Sequence, residues 1–408
     1  MTMSRFLNKV KDVKPKDLAA GVVFLAAIVP SIAYGTYLRL SNKRFWLVCE
    51  EEREAQDTGF ALFRHLNEAH PELETIYAIS YDSPAFDKVR RTGRTVRYSS
   101  LLHWIYYLSA EVNISSQKGG KPNAAVCYFL EVYGLLRNRR VFLNHGVTMS
   151  DNGYLHYENA KMWMFVTSNR EERDYVEEVF NYPKGVVVCT GLSRFDYLKD
   201  ESPTRTVVLM PSWRSWLKLP SKVDSDVSGE FRDFLSSEYY RCFQSLINND
   251  DLIDLLEEHG YRLLFYPHRN VQPHLAEFCT KSDCVILASE AEYDIQALLR
   301  SCDVMITDYS SVSFDFAYLE KPIIYYQFDE ERFRKYQYAE GYFSYREDGF
   351  GPVVSDEEQV VAALRDALEG RNLDEYRSRE HSFFAYRDGQ NSERIYQEIV
   401  RKLEKERS

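Results

Sequence analysis

Two adjacent serines follow an acid and an aromatic residue in the stretch DYSS, residues 308–311. The stretch comes directly after a short apolar run and opens a predicted helix. One hypothesis is a helix cap, in which Asp308 or Ser310 accepts a hydrogen bond from the first free N–H groups. The other is an anion site, because the unpaired N–H groups and positive dipole end of a helix start attract phosphate, and the small residues Ser310 and Ser311 let it approach. These four residues by themselves leave both hypotheses open.

Two histidines also follow apolar runs. His145 ends VFLNH and precedes Gly146, which gives a substrate access to the backbone, so His145 is a candidate general base. The alternative is a histidine that only hydrogen-bonds its own loop. The second, His268, is adjacent to Arg269 in YPHRN, which ends another predicted strand.

Two arginines complete this set of polar residues. Arg214 lies in PSWR, two residues after Ser212, and its rigid fork of donors suits phosphate. The alternative is a surface arginine stacked on Trp213 or Trp216. Arg194 follows another apolar run, in TGLSRFDYL. Histidines, arginines and serines at strand ends together suit a diphosphate ligand and an attacking hydroxyl.

Motif searches exclude several other classes of enzyme. The sequence contains no Walker A motif, no GxGxxG and no His/Asp metal cluster. This argues against a P-loop NTPase, a dehydrogenase and a metal site.

The elements that position these residues are short apolar runs alternating with helical or polar segments. Such alternation predicts an α/β chain with two doubly wound parallel-sheet domains facing a cleft, with ligands at the carboxyl ends of the strands. The predicted strands are FWLVCE (45–50), TIYAIS (75–80), EVNISS (111–116), VFLNH (141–145), WMFVTS (163–168) and VVVCT (186–190), then TVVLMP (206–211), YRLLFYP (261–267), CVILAS (284–289), VMITD (304–308) and PIIYYQ (322–327).

A polar segment, KDESPTR at 199–205, interrupts the alternation and is predicted to be a linker. The predicted domains are therefore a membrane-attachment segment at 1–44, a Rossmann-like acceptor domain at 45–199, and a Rossmann-like nucleotide-donor domain at 200–408 that ends in a crossover helix.

Charge and cysteine content narrow the function further. The 408 residues carry a formal net charge of −11, which argues against a general nucleic-acid binder. The seven cysteines are odd in number and form no CxxC pair. They are predicted to be reduced and mostly buried, as in a reducing compartment.

The N-terminal region predicts membrane attachment. Residues 18–38 carry no charge and are flanked by basic residues on both sides. A spanning helix, a signal peptide, and an interfacial or re-entrant anchor broken at Pro30 are the three interpretations. The basic residues of the flanks, which favour anionic lipid, are Arg5, Lys9, Lys11, Lys14, Lys16, Arg39, Lys43 and Arg44.

The order of the motifs resembles the CDP-glycerol glycerophosphotransferase family, which contains the teichoic-acid primases and polymerases. That order is HG, TG-x-x-R, P-x-W-R, PH, DYSS-x-x-F-D and KPIIYY. The opening strand, the acidic turn containing Glu51 and the step Asp57-Thr58-Gly59 are also similar to the family, as is DGQNSERI at 388–395. The resemblance covers roughly residues 45 to 400.

This resemblance implies a GT-B fold and a membrane-associated enzyme, peripheral or N-terminally anchored, at the cytoplasmic face. Such an enzyme transfers glycerol phosphate from CDP-glycerol, or a related CDP-polyol, to a lipid-linked or glycan hydroxyl and releases CMP, with no cofactor and no nucleic acid. The implied catalytic residues are His145 and His268. Donor-binding residues would be Ser310, Ser311, Arg214, Arg269, Asp308 and Ser212, and acceptor or cleft residues would be Glu51, Asp57, Arg194 and Gly146.

Some residues differ from the family pattern. Ser212 replaces the more usual threonine before Trp213, and NHGVTMSD at 144–151 replaces the common WHGTPLK. These differences leave the donor polyol, glycerol or ribitol, and the acceptor open. Two rival functions remain, a GT-B glycosyltransferase that uses a nucleotide sugar and an inactive membrane-bound scaffold for polymer assembly.

Overall fold

The computed structural model describes residues 14–136, 138–199, 203–217 and 233–408. Two compact units are present. The first consists of the described residues of Met1–Thr148, Asn152–Tyr197 and Ala385–Ser408, and the second of those of Met149–Asp151 and Leu198–Phe384. The basic residues at positions 5, 9 and 11 and the linker residues 200–202 lie outside the described ranges.

The first unit is built on a seven-stranded parallel sheet with the strand order β3-β2-β1-β4-β5-β6-β7. All six apolar runs predicted for this half form strands. The additional strand is β3 at the edge of the sheet, and Val96 is the one buried residue of its sequence RTVR. The strands are β1 (Phe45–Val48), β2 (Glu74–Ile79), β3 (Arg94–Arg97), β4 (Val112–Ser115), β5 (Arg140–Phe142), β6 (Met164–Thr167) and β7 (Val187–Cys189).

Helices connect these strands, and several begin at an Asn or Ser whose side chain accepts an N–H of the first turn. They are α1 (Pro15–Leu40), α2 (Thr58–Ala69), α3 (Phe86–Thr92), α4 (Leu101–Ser109), α5 (Ala124–Val132), α6 (Tyr157–Ala160) and α7 (Arg170–Val179), followed by a 3₁₀ turn at Ser193–Tyr197.

The second unit holds a six-stranded parallel sheet with the order β10-β9-β8-β11-β12-β13. Its strands are β8 (Thr206–Met210), β9 (Arg262–Phe265), β10 (Val285–Leu287), β11 (Val304–Thr307), β12 (Ile323–Tyr326) and β13 (Val353–Val354). Its helices are α8 (Glu238–Leu246), α9 (Asp250–His259), α10 (Ile295–Ser301), α11 (Val312–Tyr318), α12 (Glu330–Tyr336), α13 (Glu357–Leu368) and α14 (Asp374–Phe383). The strand order reverses between β8 and β11, which is where such sheets bind ligands.

The last helix, α15 (Asn391–Arg407), belongs to the first unit. Its first N–H groups, those of Asn391 and Ser392, donate to the carboxylate of Asp196 at 2.9 and 2.7 Å. Gly191 has a φ of +78°, and a Cβ there would lie 2.2 Å from the side chain of Asn391. Gly191 of the TG-x-x-R motif and Asn391 of the DGQNSERI motif therefore lie where the chain before the 3₁₀ turn passes close to α15.

Helix α1 packs along α4 of the first unit. The rings of Phe24 and Trp104 are 5.4 Å apart, and those of Tyr34 and Tyr106 are 5.8 Å apart. Near the start of the helix, Asn123 donates to Asp17 at 2.9 Å. The 26 residues of α1 are long and apolar enough to cross a membrane, yet one side of the helix forms part of the core of this unit.

The cysteines follow the prediction only in part. All seven are free, but only Cys49, Cys127 and Cys302 are buried, and Cys279 is exposed. Cys279 lies in a loop beside Gln244, which donates to its carbonyl oxygen.

The packing of α1 predicts that two neighbouring residues, Phe24 and Leu25, contribute differently to the free energy of unfolding. Phe24→Ala removes a ring that packs on Trp104, whereas Leu25, one position on, is 65% exposed. We expect Phe24→Ala to lower the free energy of unfolding by about 2 kcal/mol, less than for a fully buried ring because Phe24 is only partly buried. Leu25→Ala is the control. Urea unfolding in mild detergent measures both, and equal midpoints would show that α1 does not pack on the unit.

Candidate functional site

In the second unit, the carboxylate of Asp308 joins the loops that follow β8 and β11. It is fully buried and accepts from the backbone N–H groups of Ser212 at 2.8 Å and Tyr309 at 2.6 Å. It also accepts from Nη1 of Arg214 at 2.8 Å. Asp308 is therefore an internal anchor for the DYSS loop.

Arg214 is the cation at the centre of this anchor, and its side chain has no exposed surface. Nε and Nη2 donate to the two oxygens of Asp329 at 2.7 and 3.0 Å, and Nη1 donates to the carbonyl of Ser212 at 2.9 Å. Burial by itself lowers the pKa of Arg214, but Asp308 and Asp329 raise it above its ordinary value. The guanidinium therefore stays charged.

The structure gives Arg214 a different role from the predicted phosphate contact. A ligand cannot reach a guanidinium that is enclosed by two carboxylates and by the rings of Tyr239, Tyr309, Phe328 and Phe333 at 5.1–5.8 Å. Neither Trp213 nor Trp216, the alternative stacking partners, is among these rings. Asp308 and Ser212 likewise act through the loop that they hold, and Ser212 is only 9% exposed.

The two serines of DYSS differ in their roles. Ser310 Oγ accepts from the backbone N–H of Val312 at 3.3 Å, and its carbonyl accepts from Ser313 Oγ at 2.9 Å. Ser311 directly precedes the seven-residue helix α11, is partly exposed and makes no side-chain cap hydrogen bond. The cap hypothesis thus describes Ser310, while Ser311 is the serine whose hydroxyl does not cap the helix.

His268 lies in the loop after β9, beside that of β8. Its backbone N–H donates to Pro211, and the N–H of Asn270 donates to its Nδ1 at 3.2 Å. Burial, and then the charge of Arg269, lower the pKa of His268 to about 4. The imidazole is therefore neutral at pH 7, and because Nδ1 is an acceptor, Nε2 carries the proton. Such a side chain donates a hydrogen bond from Nε2; it is not set up as a base there.

In the first unit, the loop after β5 presents His145. Asn144 before it has a φ of +62° and is buried. The Asn144 side chain accepts from the N–H of His145 at 3.0 Å and donates to Thr148 and Glu172 at 2.9 and 3.1 Å. His145 itself is exposed and Gly146 is buried. The loop is therefore held by side-chain hydrogen bonds and presents an exposed imidazole.

Glu172 on α7 supports this loop and was not predicted. It is fully buried and accepts from the N–H groups of Thr148 and Ser168, each at 2.7 Å, and from Ser168 Oγ at 2.8 Å. Burial raises the pKa of Glu172 to about 7. Its backbone partners can only donate, so the ionised carboxylate fits this loop best.

Arg194 and Asp57 connect the His145 loop to the loop after β1. Arg194 Nη1 donates to Asp57 Oδ1 at 2.6 Å and to the carbonyl of His145 at 2.8 Å. Arg194 is only 6% exposed. Both residues lie beside His145 and fix the backbone of its loop, and their role as acceptor or cleft residues stays a prediction.

In the acidic turn after β1, the buried acid is Glu50 and not its neighbour Glu51, which was the predicted cleft residue. Its carboxylate accepts from the N–H groups of Gln56, Asp57 and Phe60 at 3.0, 3.1 and 2.7 Å. Burial, and then Asp57, raise the pKa of Glu50 to about 8. Glu51 is partly exposed. The signal that could have found Glu50 was its position at the end of the apolar run FWLVC.

The buried Glu50 accounts for the glycine in the step Asp57-Thr58-Gly59. A Cβ at Gly59 would lie 2.8 Å from Cγ of Glu50, so this glycine lets the helix start approach the acid.

One group of side chains in the described ranges has the composition of a metal site. His65, His70 and Glu393 have ligand atoms within 4.8 Å of one another. Both imidazoles contact Glu393 Oε2, at 3.0 and 2.7 Å, which joins α2 to α15. None of the three was among the predicted site residues, and the predicted absence of a metal stays a prediction.

Substitution of Arg214 distinguishes a structural role in the buried ion triad with Asp308 and Asp329 from a direct contact with phosphate. Arg214→Lys keeps the charge but cannot bridge Asp308 and Asp329 with planar donors, so we expect a loss of about 3 kcal/mol or more in unfolding free energy. Arg332→Lys, at an exposed arginine of α12, is the control. Thermal melts measure both. A direct phosphate contact would instead give an unchanged melt and weaker CDP binding.

The structure of the wall teichoic acid polymerase TagF superposes with a TM-score of 0.65 at 15% identity, over 97% of this chain and 100% of that chain. At that identity the likeness shows the fold alone, which is GT-B-like as predicted from the sequence.

Curated relatives are similar in sequence as well. The minor teichoic acid biosynthesis protein GgaB of Bacillus subtilis (strain 168) is 30% identical over 97% of this chain and 44% of its own length. The teichoic acid poly(ribitol-phosphate) polymerase of Bacillus spizizenii is 29% identical over 59% of this chain and 38% of its own. The chain thus spans less than half the length of these relatives.

The family comparison covers nearly the whole chain. The profile described as CDP-Glycerol:Poly(glycerophosphate) glycerophosphotransferase matches residues 32–401, which include every predicted site residue. The motif order from HG to DGQNSERI therefore reflects common descent, and the chain belongs to the CDP-glycerol:poly(glycerophosphate) glycerophosphotransferase family.

Proposed function

We propose that this chain transfers glycerol phosphate, or a related polyol phosphate, from a CDP-linked donor to an acceptor hydroxyl in teichoic-acid or capsular-polymer synthesis, with release of CMP. The observation that carries the proposal is the family match over residues 32–401, which extends through both units. The relatives named above support the polymer class, because their names place them in teichoic acid synthesis.

In the first unit, His145 is the proposed general base. Its imidazole is exposed, while its backbone is fixed from both sides by Asn144 and Arg194. A base must keep a set geometry relative to the hydroxyl that it deprotonates, and a loop held by buried side chains supplies that geometry. The buried carboxylate of Glu172 holds the same loop from beneath.

In the second unit, His268, Arg269 and Ser311 are the proposed contacts to the donor's phosphates. His268 is neutral with its proton on Nε2, so it donates to a phosphate oxygen without any change of protonation. Arg269 is exposed beside it and adds positive charge. Ser311 adds a hydroxyl at the end of the loop that Arg214 and Asp308 hold.

The proposed reaction breaks one P–O bond and forms another. The acceptor oxygen, whose proton passes to His145, attacks the β-phosphorus of the donor, and the oxygen that bridges the two phosphates leaves with CMP. General base help of this kind contributes about 10²–10⁴-fold, so positioning and electrostatic stabilisation must supply the rest. We propose that no resident cofactor takes part, and undiminished transfer in EDTA would support this.

The donor polyol and the acceptor are the finer parts of the proposal. We take CDP-glycerol as the donor because the matched family is described by it, and CDP-ribitol as the alternative because one relative is a poly(ribitol-phosphate) polymerase. The proposed acceptor is a lipid-linked or glycan hydroxyl. A glycosyltransferase would release a nucleoside diphosphate in place of CMP, and an inactive scaffold would release neither.

We further propose that the chain works at the cytoplasmic face of the membrane, attached through α1. One side of α1 packs on α4, so a spanning α1 would pull the first unit to membrane depth or leave its core uncovered. The exposed side of the helix supports an interfacial position, in which α1 lies along the surface of the bilayer.

The role of His145 gives the direct test of this proposal. His145→Ala should lower the rate of CMP release by at least about 100-fold, because it removes the general base. His381→Ala, at an exposed histidine of the second unit, is the control. Both proteins should melt with the parent. A rate for His145→Ala within tenfold of the parent would exclude His145 from the mechanism.

Ser311 gives a separate test of donor binding. Ser311→Asp places a carboxylate where the proposal puts a phosphate, and we expect CDP-glycerol affinity to fall by more than about tenfold through charge repulsion. The exposed Ser355, which precedes α13, provides the matched control Ser355→Asp. Calorimetry measures both. Equal affinities would mean that Ser311 does not face the donor.

A further inference from the structure

A basic pocket lies at the C-terminal end of α1 in the first unit. Its volume is about 540 Å³, and its lining includes the end of α1, the start of β1, the end of α4 and the last helix, α15. Five of the lining side chains are cationic and one is acidic: Arg39, Lys43, Arg44, Arg139, Arg407 and Glu111. This pocket shares no residue with the candidate site described above.

The exposed side of α1 leads directly into this pocket. Leu18, Val22, Leu25, Val29 and Ile32 repeat at spacings of four and three residues and are each at least 62% exposed. We call these five residues the outer stripe. It extends for about 21 Å along the helix, at about 1.5 Å per residue. Arg39 lies seven residues after Ile32, on the same side of the helix, so a cation follows the last apolar residue of the stripe.

Both Ile32, the last residue of the outer stripe, and Arg39 line the basic pocket. An apolar row that ends at a group of positive charges matches the two parts of a phospholipid, its acyl chains and its anionic headgroup. Soluble proteins rarely expose so long a contiguous apolar surface without a partner.

We propose that the basic pocket binds the phosphate of an anionic lipid headgroup while the outer stripe of α1 inserts among the acyl chains. The inference rests on the proposed function only in that both place the chain at a membrane. It adds a binding site, made by α1, β1 and α15, whose ligand is a structural lipid, separate from the donor and the acceptor.

The charges in the pocket leave a net attraction for phosphate. Glu111 pairs with Arg44 at 3.4 Å and with Arg407 at 2.5 Å, and Arg139 pairs with Glu406 at 2.7 Å. Arg39 donates to the carbonyl of Gly35, and neither Arg39 nor Lys43 forms an ion pair with a described residue. The two carboxylates thus offset part of the charge of three arginines, while Arg39 and Lys43 are available to a headgroup.

The same arrangement argues against a nucleotide or nucleic acid as the occupant. Nucleic-acid bases bind by stacking on exposed aromatic rings. Phe45 is the one aromatic side chain among the described residues of the pocket lining, and it is buried, so it offers no stacking surface. The chain as a whole carries a net charge of −11, so long-range attraction of a polyanion is weak. A small anionic headgroup held next to an apolar stripe fits both facts.

The test uses the full chain and two kinds of vesicle, phosphatidylcholine alone and phosphatidylcholine with phosphatidylglycerol. Arg39→Gln-Lys43→Gln removes the two unpaired cations without touching Glu111. The control is Arg90→Gln-Arg91→Gln, the same change of charge on exposed residues of α3. Co-sedimentation at two salt concentrations measures vesicle affinity, calorimetry with inorganic phosphate measures binding of the free anion, and CMP release onto a soluble acceptor measures transfer.

We expect the pocket variant to bind phosphatidylglycerol vesicles at least about tenfold more weakly than the parent and the control, with a smaller salt dependence, and to keep its transfer rate. Equal vesicle affinity of variant and control would overturn the proposal. Tight binding of inorganic phosphate that the variant loses would overturn the lipid assignment. Absence of CMP release from every protein would instead refute the proposed function and leave the lipid site standing.

Discussion

The buried ion triad of Arg214, Asp308 and Asp329 is the interaction on which the second unit's candidate site depends. It ties together the chain segments that follow β8, β11 and β12 through four hydrogen bonds of the guanidinium. Burying three charges carries a large desolvation cost, which only such close pairing offsets. The benefit is geometric, because a planar fork held by two carboxylates fixes the positions of three loops at once. Tyr309, stacked on Phe333 at 3.7 Å, closes the same cluster.

The first unit follows the same principle with buried acids. Glu50 and Glu172 sit beneath the loops after β1 and β5, and each accepts several backbone or side-chain donors. Burial raises the pKa of both, to about 8 and about 7. Hydrogen bonds to these acids favour the ionised form against that desolvation. The loop of the exposed His145 is thus supported by a carboxylate that is itself fully buried.

Much of the fold follows from local sequence, while the support of the site does not. The apolar runs predicted the central strands, because a parallel strand covered on both faces must be apolar along its length. The edge strand β3 and the two-residue β13 escaped prediction, since RTVR is polar and VV is short. His145, His268 and DYSS lie in loops directly after strands, as the apolar runs before them indicated, and their roles in the site stay predictions.

The errors concern partners that are distant in sequence. Arg214 resembled a phosphate ligand until its carboxylates were known, and Asp329 is 115 residues away. Glu172 lies in REERDYVEEV, where the surrounding charges suggest a solvated helix, and only tertiary packing buries it. Glu50 and Glu51 are adjacent and chemically alike, so which of them enters the core depends on the register of β1.

The central claim is the transfer of a polyol phosphate from a CDP-linked donor, and product analysis tests it most directly. Purified chain, CDP-glycerol and a lipid-linked acceptor are incubated, and mass spectrometry follows acceptor and nucleotide together. We expect the acceptor to gain the mass of one or more glycerol phosphate units and one CMP to appear for each unit. An acceptor of unchanged mass with every CDP-polyol tested, or release of a nucleoside diphosphate with a sugar donor, would contradict it.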